Sequence, residues 1–231
     1  MLVFGHGPED GSGPAFNTLA SFPWCREQGA DGVELDVRRT ADDQVVVVHD
    51  DGIDGRAIAQ TARRDLPPYI PDLSAALDVC AGFPVIVELK NFPEDAGWDP
   101  SQRLPHLVVD LLEARGGRDD VVVSCFGLDA LAVVRDRSPG TPTAGLLFAR
   151  EPAPQLLAPV ADAGHRFVHP YDPMVDPELM DAATRLGLAV DVWMLEVPAA
   201  RYTALAQLGV HGVITGQIAT ARAAQAAAGL A

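Results

Sequence analysis

Two short runs constrain the fold more than any other feature of the chain. VIVEL at 85–89 and VVVSCF at 121–126 are apolar at nearly every consecutive position. A strand with one wet face alternates apolar and polar residues, whereas a strand covered on both faces does not. Such coverage marks a parallel sheet flanked by helices. Similar short runs recur along the chain and predict strands at 2–6, 32–37, 85–90, 121–125, 143–148, 166–169, 189–193 and 212–215. Amphipathic, Ala/Leu-rich stretches fill the gaps and predict helices at 15–28, 74–79, 104–114, 128–137, 154–163, 177–186, 199–208 and 217–228. Strands and helices alternating in this way over 231 residues favour an α/β TIM (β/α)8 barrel over an open sheet. No G-x-G-x-x-G spacing follows the first strand, which argues against a dinucleotide-binding fold. No stretch reads as a linker, so residues 1–231 are expected to form a single domain.

One segment breaks the strand–helix rhythm. GVELDVRRTADDQVVVVHD, residues 32–50, returns to a second apolar run after too few residues for a parallel crossover. It therefore predicts a β-hairpin extension after the second barrel strand. A two-residue loop at Asp42-Asp43 would set Asp36 opposite His49, and a three-residue loop would set Leu35 there. Either register returns His49 to the neighbourhood of the carboxylates.

Residues two apart on a strand share a face, so Glu34 pairs in direction with Asp36, and Glu88 with Lys90. In a barrel, polar side chains near the carboxyl ends of strands line the mouth. His6 ends the first predicted strand, Glu34 and Asp36 lie in the second, and Glu88 and Lys90 end the third. With His49 they would deliver three carboxylates, two imidazoles and one amine to one rim. Three buried carboxylates held together call for a divalent cation, and oxygen ligands suit a hard ion, Mg²⁺ or Ca²⁺. The bland reading of each piece is a salt bridge, such as Asp36 with Arg38 or Lys90, or a turn at His49-Asp50. Lys90 stands out on composition as well, because it is the one lysine among 17 basic residues.

Charge and cysteines bound the partners. A net charge of −15 argues against nucleic acid and anionic membranes. Cys25, Cys80 and Cys125 are widely spaced among apolar neighbours and read as reduced, packed thiols of a cytoplasmic protein. No apolar run reaches membrane-spanning length, so membrane insertion is not expected.

These residues resemble the glycerophosphodiester phosphodiesterase family of metal-dependent TIM barrels. The likeness begins at His6, continues through Asn17-Thr18-Leu19-Ala20, and is clearest over Gly29–Asp51. It runs on through Ile70-Pro71-Asp72-Leu73, VELK at 87–90, SCF at 124–126, Trp193 and GVITG at 212–216. The resemblance implies that Glu34, Asp36 and Glu88 hold the cation and that His6 and His49 serve as acid and base. It implies too that Lys90 neutralises phosphate charge; Trp193 reads either as a core residue, the usual place of a barrel tryptophan, or, on the family likeness, as a substrate platform. The implied reaction hydrolyses a small-molecule glycerophosphodiester to sn-glycerol 3-phosphate and an alcohol.

Two departures stand out. The family usually follows its first histidine with Arg-Gly, whereas this chain reads His6-Gly7-Pro8, and the family's Glu before Asn-Thr is Phe16 here. A glycine cannot imitate a bidentate arginine. Arg38, Arg56 and Arg150 are the candidate substitutes for it, and Glu9 or Asp10 for the carboxylate. The short stretch 52–69 predicts a reduced cap over the substrate, hence a different alcohol or a slower reaction. Two rivals follow from these observations: a barrel that binds a phosphorylated ligand and a metal without turnover, and a Schiff-base aldolase built on Lys90. His169 is a rim candidate. His106, His165 and His211 read as surface or structural residues, and Phe167 and Tyr171 as packing.

Overall fold

A computed structural model of the chain describes residues 1–8 and 11–229. The elements run β1 (Leu2–Gly5), α1 (Ser21–Glu27), β2 (Gly32–Arg39), β3 (Val45–Val47), β4 (Gly52–Ile53), β5 (Arg56–Ala57), α2 (Leu73–Val79) and β6 (Val85–Leu89). They continue through α3 (Arg103–Ala114), β7 (Val121–Cys125), α4 (Leu128–Arg137), β8 (Thr143–Leu147), α5 (Leu157–Asp162) and β9 (Phe167–Pro170). The last are α6 (Pro177–Leu186), β10 (Ala189–Trp193), α7 (Ala199–Gln207), β11 (Gly212–Thr215) and α8 (Ile218–Ala227).

Among the described residues, β1, β2 and β6 through β11 pair in parallel, and β1 pairs with both β2 and β11, which closes the barrel. Along β2 the odd positions Val33, Leu35 and Val37 are fully buried in the main apolar cluster, between sheet and helices. The barrel interior holds a separate, smaller cluster of Phe4, Ile86 and Ile214, with Val122 and Trp193 against it. Both sheet faces are thus covered, the physical reason for the unbroken apolar runs.

β2 has eight residues and outreaches its neighbour β1, which pairs only with Gly32 and Val33 at the start of β2. Beyond that point β3 takes over the free edge in antiparallel register, Val37 opposite Val47 and Arg39 opposite Val45. The hairpin loop has three residues between Thr40 and Gln44, whose backbones bond at 2.9 Å. Asp43 supplies the left-handed position (φ +60°) that such a loop needs. Residues Val46, Val48, Ile58, Leu66 and Ile70 form a satellite core under the short 52–70 segment.

Two predicted helices are shorter than expected. α1 begins at Ser21 rather than at 15, because Asn17 is left-handed (φ +58°) and its side chain is engaged elsewhere. The segment 154–163 divides into a 3-10 turn, Pro154–Leu156, and α5. α6 shows how local sequence sets its ends. The Asp176 carboxylate accepts from the Leu179 amide at 2.9 Å, Pro177 opens the first turn, and Gly187 (φ +70°) closes the last. No described helix is long and apolar enough to cross a membrane.

Candidate active site

The alternation on β2 that buries Val33, Leu35 and Val37 outside the barrel turns Glu34 and Asp36 inward. β6 does the same for Glu88, which stands level with Asp36 in the parallel register. Lys90 and His6 lie one residue past β6 and β1, still tied to the sheet by Lys90 N–H to Val37 O (3.1 Å) and His6 N–H to Thr215 O (3.2 Å). The result is a buried ionic cluster. Lys90 Nζ lies 2.8 Å from Asp36 Oδ1 and 2.5 Å from Glu88 Oε1. His6 Nε2 lies 3.8 Å from Glu34 Oε2 and 3.9 Å from Asp36 Oδ2. Asn17 clamps Asp36 from both sides: its Nδ2 donates to Asp36 Oδ2 at 2.7 Å and its Oδ1 accepts the Asp36 amide at 3.1 Å.

Burial alone would push all three carboxyls up, and what surrounds each one decides the outcome. Glu34 is driven well above the usual range by burial and then by Asp36. Glu88 is also raised, burial outweighing the nearby Lys90. Asp36 goes the other way, because Lys90 and His6 more than reverse its burial, so it stays ionised. Lys90 is held protonated by Asp36 and Glu88 against the cost of its own burial. That direction is wrong for a Schiff-base nucleophile, which must lose its proton, and it counts against the aldolase reading.

Lys90 thus engages Asp36 and Glu88, while Glu34 Oε2 is buried without a hydrogen-bond partner. A cation is what such an oxygen lacks. His6, Glu34 and Asp36 each offer a ligand atom, all within 4.8 Å of one another. Glu88, the third expected ligand, faces the same cavity but is engaged by Lys90.

His49 arrives by the hairpin. Its backbone carbonyl accepts from Arg38 Nε at 2.9 Å, and the same guanidinium makes a two-pronged pair with Asp95 at 2.8 Å for each bond. The imidazole is half exposed, with Nδ1 3.0 Å from Asp50 Oδ1. Phe16 lies between the two imidazoles, stacked on His6 with centroids 4.9 Å apart and edge-on to His49 at 6.3 Å. The candidate replacement carboxylates Glu9 and Asp10 lie outside the described residues.

A cavity of about 190 Å³ is lined by His6, Glu34, Asp36, His49, Glu88, Lys90 and Trp193, so the barrel brings all seven predicted site residues together. Ser124, Phe126, Leu146 and His169 share its wall. Trp193 belongs to an aromatic half of the mouth, 4.4 Å from Tyr171, 6.0 Å from Phe148 and 6.3 Å from Phe126 between ring centroids. Of the candidate arginines, Arg38 is committed to Asp95 and His49, and neither Arg56 nor Arg150 lines the cavity. Lys90 and the histidines are the basic groups on its described wall. A larger cavity of about 340 Å³ opens between α1 and the start of α8, but Glu196 is the lone charged residue on its described lining. The chemistry is in the smaller one.

Sequence reasoning gives Asn17 and Phe16 no role in the site and marks His169 only as a rim candidate, a place it does take on the cavity wall. The Asn17-Thr18 dipeptide was visible, but its partner Asp36 is 19 positions away. The stacking of Phe16 on His6 likewise depends on how a loop folds back.

Comparison with known proteins supplies the family. The Glycerophosphoryl diester phosphodiesterase family profile matches residues 11–76 and 56–220. A glycerophosphodiester phosphodiesterase of Caldanaerobacter subterraneus subsp. tengcongensis is 25% identical over 233 residues, covering 93% of each chain. Among solved structures, an Oleispira antarctica phosphodiesterase in complex with the product sn-glycerol-3-phosphate superposes with a TM-score of 0.84 at 21% identity, over 97% of this chain and 96% of that one. A Parabacteroides distasonis glycerophosphodiester phosphodiesterase gives 0.83 at 21% identity, over 98% and 97%. The structural likeness establishes the barrel, and the profile match over most of the sequence establishes that the chain belongs to the glycerophosphoryl diester phosphodiesterase family.

Proposed function

We propose that this phosphoric diester hydrolase cleaves glycerophosphodiesters to sn-glycerol 3-phosphate and an alcohol, by acid–base catalysis between His6 and His49 with a divalent cation bound. The observation that carries the reading is the convergence of both imidazoles, three carboxylates and Lys90 on one cavity. The family and the product-bound Oleispira neighbour support the substrate class.

The donor set fits a divalent ion. Glu34 and Asp36 would hold it, with Glu88 joining them if Lys90 turns toward the substrate, and a carboxylate-rich set favours Mg²⁺ or Ca²⁺. A bound divalent cation would supply Lewis acidity toward the phosphoryl oxygens. The chain's own groups do the rest. Lys90, held protonated, sets a fixed positive charge where negative charge gathers on phosphate. One imidazole removes the nucleophile's proton and the other delivers one to the departing alkoxide. Asn17 keeps Asp36 aimed inward, and Arg38 anchors the His49 backbone. The aromatic half of the mouth gives the carbon skeleton an apolar wall. The three free buried cysteines and the acidic surface suit a cytoplasmic enzyme acting on a soluble small molecule.

His49→Ala tests the reading, with a glycerophosphodiester as substrate and product followed by phosphorus NMR. Cleavage should fall by about 10²–10⁴, the usual loss of a general acid or base, while metal affinity and fold persist. Activity within about threefold of wild type would remove His49 from the chemistry. A wild-type chain that binds the diester with its metal but releases no product would favour the binding-barrel rival.

A further inference from the structure

The cavity has a polar feature that the proposed chemistry leaves unused. On β9, the strand across the barrel from β2, His169 is wholly buried and yet lines the cavity. Neither of its ring nitrogens has a hydrogen-bond partner. Its Nε2 lies 3.4 Å from Asp191 Oδ2, within ion-pair reach but not aligned as a hydrogen bond. Asp191 is itself 2% exposed, and its other oxygen sits 2.7 Å from His211 Nδ1. Room for that carboxylate depends on Gly212, where a Cβ would stand 2.5 Å from Asp191 Oδ1.

The chemistry of the pair fixes what His169 can offer. Facing a carboxylate, Nε2 is the nitrogen that carries the proton, because two lone pairs would repel. In the neutral imidazole Nδ1 then keeps its lone pair and is an acceptor. An acceptor has nothing to give a phosphate oxygen, which also lacks a proton at neutral pH. What it can take is an O–H donor.

From this we infer that His169 is a specificity-determining residue: its Nδ1 accepts a hydroxyl of the bound glycerol moiety and fixes that end of the substrate opposite the carboxylates. The inference rests on the glycerophosphodiester reading. It assigns His169 to binding rather than proton transfer, with Asp191 as the positioning residue that sets its tautomer, much as a carboxylate orients a metal-bound histidine.

The test compares wild type, His169→Leu, His169→Asn and His169→Gln on two diesters, one with glycerol hydroxyls and one without. Glycerophosphocholine serves as the first and bis(4-nitrophenyl) phosphate as the second. His169→Leu leaves a buried hydroxyl unpaired and should lower kcat/KM on glycerophosphocholine by about 10–100-fold, with the aryl diester changed by less than about threefold. Asparagine places an amide oxygen near the Nδ1 position and glutamine near Nε2, so His169→Asn should recover most of the loss and His169→Gln should not. If the leucine variant fails to fold, the Asn/Gln contrast decides alone. Equal losses on both diesters, equal effects of Asn and Gln, or no loss at all would overturn the inference and leave the phosphodiesterase reading standing. Wild type that cleaves the aryl diester but not glycerophosphocholine would sink the glycerol reading, and His169's role with it.

Discussion

Gly7 and Phe16 compete for one volume: a Cβ on Gly7 would stand 2.8 Å from the Cβ of Phe16 and 3.0 Å from its Cα. Gly7 also has φ +97°, a conformation L side chains rarely adopt. The atoms in the way are ones that any non-glycine residue at position 16 would carry, so it is the path of the loop that requires Gly7. The ring that replaces a carboxylate stacks on His6, while the Phe16 Cβ and main chain exclude a side chain beside that histidine.

Restoring the arginine alone should accordingly fail. Gly7→Arg combines backbone strain with a clash against the Phe16 main chain and should cost about 1–3 kcal/mol. In a chain of this size that is a fall in Tm of roughly 3–10 °C. It should bring no gain in kcat/KM. A variant that melts within about a degree of wild type, or turns over faster, would show that the loop has room for an arginine after all.

Asn17 is expected to matter beyond its modest size. Its amide both donates to the Asp36 side chain and accepts from the Asp36 main chain. Groups that orient a metal ligand typically carry about 10–100-fold of metal affinity or activity. Asn17→Ala should therefore weaken binding of Mg²⁺ or Ca²⁺, read by calorimetry, by about that factor. Unchanged affinity would mean that Asp36 is held by the barrel alone.

Lys90 neutralises the cluster, and its removal separates two roles. In Lys90→Met the buried Asp36 and Glu88 lose their shared ammonium. Breaking a buried ion pair costs about 3–5 kcal/mol when one charge is left behind. Without metal the variant should melt well below wild type. With saturating divalent ion it should recover more degrees than wild type gains, since the ion takes over the neutralisation, while diester cleavage stays low. Equal metal-induced shifts in the two proteins would place the ion away from Asp36 and Glu88.

What could be read from sequence divides along the range of the interactions. The barrel strands were legible because burial on both faces writes an apolar residue at almost every position of β6 and β7. The inward row Glu34, Asp36, Glu88 and Lys90 was legible because a period of two is local. The hairpin itself followed from the length of its connection, but its register did not. That turned on Asp43 accepting φ +60°, which either loop length could have used. The start of α1 departs from the sequence pattern for a different reason. Residues 15–20 have helical composition, but Asn17 is drawn into a left-handed conformation by a partner on another strand. The pairing of His169, Asp191 and His211 has no local signature, since three adjacent strands meet only once the barrel closes.

Two histidines outside the ionic cluster should give the stability curve opposite slopes on either side of neutrality. His165 is buried, its Nδ1 2.8 Å from Thr143 Oγ1, and burial followed by Arg135 lowers its pKa below the usual 6.5. The folded chain therefore favours neutral His165. Its contribution is complete above pH 6.5 and is lost as pH falls from there through the depressed folded value. His211 behaves in reverse: its hydrogen bond to Asp191, foremost, raises its pKa above 6.5. That contribution is complete below pH 6.5 and is lost as pH rises through the elevated folded value. In melts of wild type, His165→Asn and His211→Gln across this range, the gap between wild type and His165→Asn should narrow toward acid. The gap to His211→Gln should narrow toward alkali. Each slope belongs to a single titrating group, so gaps that stay constant with pH would show that neither imidazole changes its proton affinity on folding.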